Sequence, residues 1–224
     1  MILLGVSEGQ AQISARENHN YRSFQRKPYY FGLSLGGNFA KYKIAQSRFF
    51  IGNDSISVAE GATKGGFNLN MIANLKMGEY FDFRFLPGFS FSNRVFQFTN
   101  TENQLSERTV ESVFFEMPFH VRFKTEPYKD MRFFVVGGLK YSYDVASNTK
   151  SRRANTLIKI APNDFQWEVG VGFQKFYPYF IFSPEIKFSR GLSNLLIYNS
   201  SLNESRVLEN VVSQIFTISF HFEG

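Results

Sequence analysis

Strict alternation of bulky and small residues constrains this chain more than any other feature. It is plainest in the 28 residues Phe165 to Leu192, FQWEVGVGFQKFYPYFIFSPEIKFSRGL. Phe165, Trp167, Val169, Val171 and Phe173 are bulky and apolar, whereas Gln166, Glu168, Gly170, Gly172 and Gln174 between them are polar or lack a side chain. A period of two means a strand with two unlike faces. After Tyr177-Pro178 the pattern resumes, with Phe180, Phe182, Ile186 and Phe188 on one side and Ser183, Glu185, Lys187 and Ser189 on the other. The stretch reads as a hairpin with a tight turn.

The same alternation recurs along the chain. Strands are expected over Tyr29 to Lys41, Thr63 to Lys76, Tyr80 to Phe98, Thr109 to Lys124, Met131 to Val145 and Val211 to Phe222, which with the hairpin makes eight. Turns after the second, fourth and sixth strands are short. Those after the first, third, fifth and seventh are long and rich in Ser, Asn, Asp and Gly. The expected fold is all-β: an eight-stranded antiparallel up-and-down barrel with its four long loops at one end.

Which face meets the core is decided by volume. An eight-stranded barrel has an interior only just wide enough for side chains to fill, and the chain carries 28 Phe and 11 Tyr. The bulky face of every strand cannot fit inside. Turned outward it meets hydrocarbon, while Gly, Ser, Asn and inward charges fill the lumen, so the barrel is expected to be transmembrane. Mean hydropathy is only −0.22, and no apolar run reaches the length of a spanning helix. Alternating strands average out in hydropathy, so neither value argues against a membrane.

Aromatic placement agrees with this reading. Tyr29, Tyr30, Tyr80, Tyr128, Tyr177 and Tyr179 fall at the short-turn end of the strands, and Tyr42, Tyr141, Tyr143 and Trp167 near the opposite end, as two interfacial girdles would require. Pro87, Pro118 and Pro184 lie within strands, where a closed barrel offers no edge. Bulges are expected at them. Domain organisation follows: residues 1–11 resemble the end of a secretory signal peptide, residues 12–28 are a polar, basic and flexible periplasmic tail, and residues 29–222 form the barrel. There is no cysteine, which excludes disulfides and thiolate chemistry. The net charge of +6 comes with no basic cluster of the nucleic-acid-binding kind.

The inward charges are the candidate site. Glu116, Glu168 and Glu185 fall near one level with Lys140 and Lys187, and Asp82, Arg84, Arg122, Lys124 and Arg132 lie nearer the short turns. A buried charge must find a partner, so these residues are expected to form an ion network that plugs the lumen. Gly32, Gly36, Gly170 and Gly172 leave some room for water. His120 and His221 lie toward the short-turn end, where two histidines without a third ligand make a poor metal site. They are expected to be satisfied lumen residues. No catalytic constellation, cofactor or metal site is expected. Arg22, Arg26 and Lys27 give the short-turn end a positive bias, suited to lipid headgroups or to a periplasmic partner.

Two stretches go further. PhePheGluMetProPheHisValArgPheLys at 114–124 and SerProGluIleLysPheSerArgGlyLeuSerAsnLeu at 183–195 resemble the PorT family of outer-membrane β-barrels, and so does the layout from Tyr29 to Phe222. The first departs from the family pattern in placing Phe119 and His120 after its proline. The resemblance implies an eight-stranded barrel in the outer membrane of a Gram-negative bacterium. It also implies a non-enzymatic role in the type IX secretion system, where such barrels help assemble or operate the translocon by docking to other components. The alternative is a structural or small-solute barrel, porin-like and without a secretion role.

Overall fold

The computed structural model describes residues 18–46, 58–99, 105–145, 159–197 and 208–224. The described residues include a short helix, α1 (His19–Gln25), and strands β1 (Tyr29–Gln46), β2 (Val58–Ala62), β3 (Lys64–Lys76), β4 (Phe81–Phe85), β5 (Gly88–Thr99), β6 (Leu105–Lys124), β7 (Met131–Asp144), β8 (Lys159–Ile160), β9 (Asn163–Phe176), β10 (Ile181–Gly191), β11 (Leu196–Ile197) and β12 (Leu208–Glu223).

The wall is a closed antiparallel ring of eight strands, β1, β12, β10, β9, β7, β6, the β4–β5 strand and β3, which returns to β1. Closure is tight at the chain ends, where the Gly224 amide donates to the Phe31 carbonyl at 2.8 Å. The short connections are 77–80, 125–130 and 177–180. Most of each long connection lies outside the described residues, as does the signal-like segment 1–11. At the long-loop end β8 pairs with β11 in a separate two-stranded sheet.

Alternation sorts the faces. On β9 the polar residues Asp164, Gln166, Glu168 and Gln174 are buried, while Phe165, Val169 and Val171 are exposed. On β10 Ser183, Glu185, Lys187 and Ser189 are buried, and Ile186 faces out. The outward surface is a belt of Phe31, Leu33, Leu35, Phe67, Met71, Phe89, Phe119, Phe133, Leu139, Phe216 and Phe220. That arrangement is inside out relative to a water-soluble barrel, and its apolar face suits hydrocarbon.

Four expectations change. First, the prolines make no bulges. Partner numbers run unbroken through Pro118 on β6 and β7 and through Pro184 on β10 and β12, and β4 and β5 keep one register against both β3 and β6. Proline loses its donor but keeps its acceptor: Leu86 N–H donates to Pro118 O at 3.1 Å and Met71 N–H to Pro87 O at 2.8 Å. The cost is local, as in the β9–β10 ladder, which skips Ser183 and Pro184 and resumes in the same register. Irregularity falls instead near the long loops, between Ala45 and Gln46 and at Thr63, where β2 meets β5 one residue out of step with β3.

Second, Tyr30 and Tyr42 belong to no girdle. Both share the inward parity of Ser34 and Asn38 and are buried. Third, residues 18–28 are not a flexible tail, for α1 is docked across the short-turn mouth; residues 12–17 lie outside the described residues. Fourth, Gly170 and Gly172 do not leave room for water. A Cβ at Gly170 would lie 2.6 Å from Lys187 Cγ, and one at Gly172 would lie 2.5 Å from Phe134 Cζ.

Candidate functional site: the lumen and its short-turn mouth

Every residue of the expected ion network, Asp82, Arg84, Glu116, Arg122, Arg132, Lys140, Glu168, Glu185 and Lys187, is buried in the lumen. Strand pairing and height bring them into two linked clusters. In the upper one, Lys140 on β7 lies 3.2 Å from Glu116 on β6 and 3.2 Å from Glu168 on β9. Lys187 on β10 lies 3.7 Å from Glu168 and 3.6 Å from Glu185.

The lower cluster gathers on Asp82 of β4. Its carboxylate takes Arg122 at 2.6 Å and also Lys124, and the Tyr30 hydroxyl donates to it at 3.4 Å. Arg122 in turn donates to Tyr30 Oη and, at 3.2 Å, to Asn74 Oδ1. The Phe134 ring lies against the guanidinium groups of Arg84 and Arg122, with centroid distances of 5.6 and 5.0 Å.

Arg84 joins the clusters. From β4 it reaches the opposite wall, meeting Glu185 on β10 at 2.8 Å and Glu223 on β12 at 3.0 Å. This double bridge is a strut across the lumen. Charge-assisted pairs of this kind are the strong hydrogen bonds of a buried site. At the upper level a cavity of about 10 Å³ is bounded by Ser34, Asn70, Glu116 and Glu168. That is room for about one water.

Both histidines lie beside glutamates, and His120 is hydrogen-bonded to its own. His120 on β6 reaches over β7 to Glu168 at 2.5 Å, and His221 faces Glu185 at 3.5 Å. The reach of His120 depends on Gly138, whose Cβ would stand 2.0 Å from Phe119 O and 2.8 Å from the imidazole. Sequence reasoning missed Glu223, Tyr30 and Phe134 as lumen members, whereas Gln174 has the inward parity expected of it. Glu223 has the inward parity of His221 two residues before it, so alternation carried past Phe222 would have found it.

Of the girdle residues, Tyr29, Tyr80, Tyr128 and Tyr179 are exposed around the short-turn end, and Tyr177 stacks on Phe180 with ring centroids 4.9 Å apart. At the other end Tyr143 is exposed, Tyr141 donates to Asn163 Oδ1 at 2.7 Å, and Trp167 rests on Phe188. In the turn before β4, Tyr80 donates to Glu126 Oε1 at 3.1 Å. That carboxylate raises the pKa of the phenol.

The mouth is a second built site. Phe24 of α1 packs on Phe176 and Ile181, and Tyr21 meets Phe176 edge-on at 5.1 Å. Asn18, at the N-cap position, makes no cap of its own. Its side chain instead donates to Pro127 O and accepts from Asp130 N–H, each at 3.0 Å, while Asp130 Oδ1 accepts from Tyr21 N–H at 2.9 Å. Lys129 and Asp130 hold positive φ, at 52° and 55°, to make this two-residue turn. At the other end of α1, Lys76 Nζ donates to the carbonyls of Phe24 and Gln25. An anion at the first turn and a cation at the last complement the helix dipole.

The sequence profile of a family described as outer membrane protein beta-barrel domain matches residues 10–196. No curated protein matches the sequence. Among solved structures, the outer membrane protein OprG from Pseudomonas aeruginosa is 10% identical, with 86% of this chain and 95% of that chain covered and a TM-score of 0.49. Neisserial surface protein A is 9% identical over 85% of this chain and 95% of that one, with a TM-score of 0.47. Ail, the attachment invasion locus protein of Yersinia pestis, is 12% identical over 88% and 100%, with a TM-score of 0.39.

Proposed function

The chain belongs to the outer membrane protein beta-barrel domain family, whose place is the outer membrane of a Gram-negative bacterium, and from that premise we propose that it is a sealed, non-enzymatic barrel that acts by docking in type IX secretion. In this role it helps assemble or operate the translocon and conducts nothing itself. Its partners are outer-membrane lipid around the Phe belt and secretion components on the periplasmic side. The observation that carries the docking part is the Arg84 strut to Glu185 and Glu223, which ties opposite walls through the centre of the lumen. A barrel closed in this way works through its surfaces. The secretion part rests on the resemblance of 114–124 and 183–195 to the PorT family. The hold of Glu168 on His120 and the full burial of His221 support the non-enzymatic reading, since neither imidazole is presented to a substrate.

The test compares the extracellular proteome of a strain lacking the gene with that of its parent, with outer-membrane lipid and protein composition as control. Loss of cargo outside the cell, with accumulation in the periplasm and an otherwise intact membrane, is the expected result. Unchanged secretion would remove the type IX role and leave a barrel whose docking partner belongs to another process.

A further inference from the structure

The mouth holds an unbalanced charge. The two lumen clusters contain six cations, Arg84, Arg122, Lys124, Arg132, Lys140 and Lys187, against five carboxylates, Asp82, Glu116, Glu168, Glu185 and Glu223. Among the described residues Arg132 alone of these cations has no carboxylate partner. It donates to Gln174 Oε1 at 2.6 Å, and its guanidinium is covered by the rings of Tyr21 and Phe176, at 5.4 and 5.1 Å. A buried cation seated only on an amide and two aromatic faces is less well compensated than one paired with a carboxylate. Tyr21 belongs to α1, so the group above Arg132 is supplied by the docked helix and not by the wall.

The helix is also the mouth's own making. Seven residues are too few for a helix to be stable in water, and α1 lacks a cap of its own. Asp130 caps its start, Lys76 its end, and Phe24 fills the apolar seat on Phe176 and Ile181. These features define a receptor for one short helix. It has an acceptor for a first-turn amide, a donor for last-turn carbonyls, an apolar seat, and a buried guanidinium one helical turn before that seat.

We propose that the periplasmic mouth is a helix-docking site, that α1 occupies it in the resting protein, and that its exchange partner is a short amphipathic helix with a carboxylate three residues before an aromatic. The carboxylate stands where Tyr21 stands and pairs with Arg132, and the aromatic takes the seat of Phe24. Such a segment has what α1 lacks, a charge to match Arg132, and so it displaces α1. This deepens the docking reading and rests on it for what the partner is for. Exchange is read on purified protein and secretion in cells, so each can fail without the other.

The chain has no cysteine, so a Ser23→Cys substitution on the exposed side of α1 gives a single nitroxide site in the full-length protein. Phe24→Asp in the same background supplies the spectrum of released α1. Two synthetic peptides are titrated, one with the sequence of residues 18–28 and one carrying Tyr21→Glu. The Glu peptide is expected to mobilise the label at about a tenfold lower concentration than the parent peptide, a ratio typical of one charge-assisted pair gained. Arg132→Gln is expected to erase the difference. A label that stays immobile with both peptides at millimolar concentration overturns the proposal, because a short flexible tether gives about that effective concentration. Equal potency of the two peptides overturns it, as does a preference that survives Arg132→Gln. A Phe24→Asp label as immobile as the parent's also overturns it, because α1 would then not be held through the apolar seat.

Discussion

Asp82 is the residue on which the lower lumen turns, because one buried carboxylate there answers Arg122, Lys124 and the Tyr30 hydroxyl together. Removing it leaves Lys124 without a carboxylate and Arg122 with only Glu223, at 3.5 Å, and breaking a buried pair from one side costs about 3–5 kcal/mol. Asp82→Ala is therefore expected to lose about that much stability. Glu116→Gln should lose only about 1 kcal/mol, a hydrogen bond's worth, since Lys140 keeps Glu168 at 3.2 Å. Urea titration of the refolded protein, followed through the single Trp167 on the outer wall, checks both. Losses of equal size would mean that the two clusters share load more evenly than their geometry implies. The inward charges were legible in the sequence because parity alone places them. Tyr30 and Tyr42 have the height of girdle residues but the inward parity of β1, and parity decides their place.

At the scale of elements, the strands follow from alternation, but two features needed three dimensions. One is the behaviour of the prolines. An antiparallel residue points its N–H and C=O to the same neighbour, so a proline there forfeits one bond while its carbonyl still holds the ladder in register. Pro118→Ala is accordingly expected to leave every pairing unchanged and to shift stability by less than about 1 kcal/mol, as a regained bond offsets a freer unfolded chain. Gly138→Val is expected to do the opposite and block formation of the folded band on a denaturing gel, since its Cβ would stand 2.0 Å from the Phe119 carbonyl. A folded Gly138→Val barrel would mean that β6 and β7 can separate at that point. The other feature is α1. Tyr21 and Phe24 are its only apolar contacts with the barrel among the described residues, too few for a periodic pattern in sequence, and the partners that order it come from three distant turns and strand ends.

For the whole molecule, closure and sealing are separate properties with separate causes. Closure comes from the backbone, through pairing of β1 with both β12 and β3, and so it does not depend on which charges lie inside. The proposed seal comes from side chains, and it lies at two heights: α1 covers the mouth, while the Arg84 strut and the Asp82 cluster stand further in. These heights make a distinct prediction for purified protein in a planar bilayer. The parent chain is expected to give no discrete conductance steps, and Phe24→Asp, which releases only the mouth, should be equally silent because the struts remain. Arg84→Ala removes the two shorter bridges between opposite walls, leaving Arg122 to Glu223 at 3.5 Å, and opens a gap beside Phe134, so it is the variant expected to leak. Steps in the parent chain would place an open path past the ion clusters and turn the reading toward a small-solute barrel. Steps in Phe24→Asp alone would move the seal from the lumen to the helix, and α1 would then be the gate and not merely the occupant of a docking site.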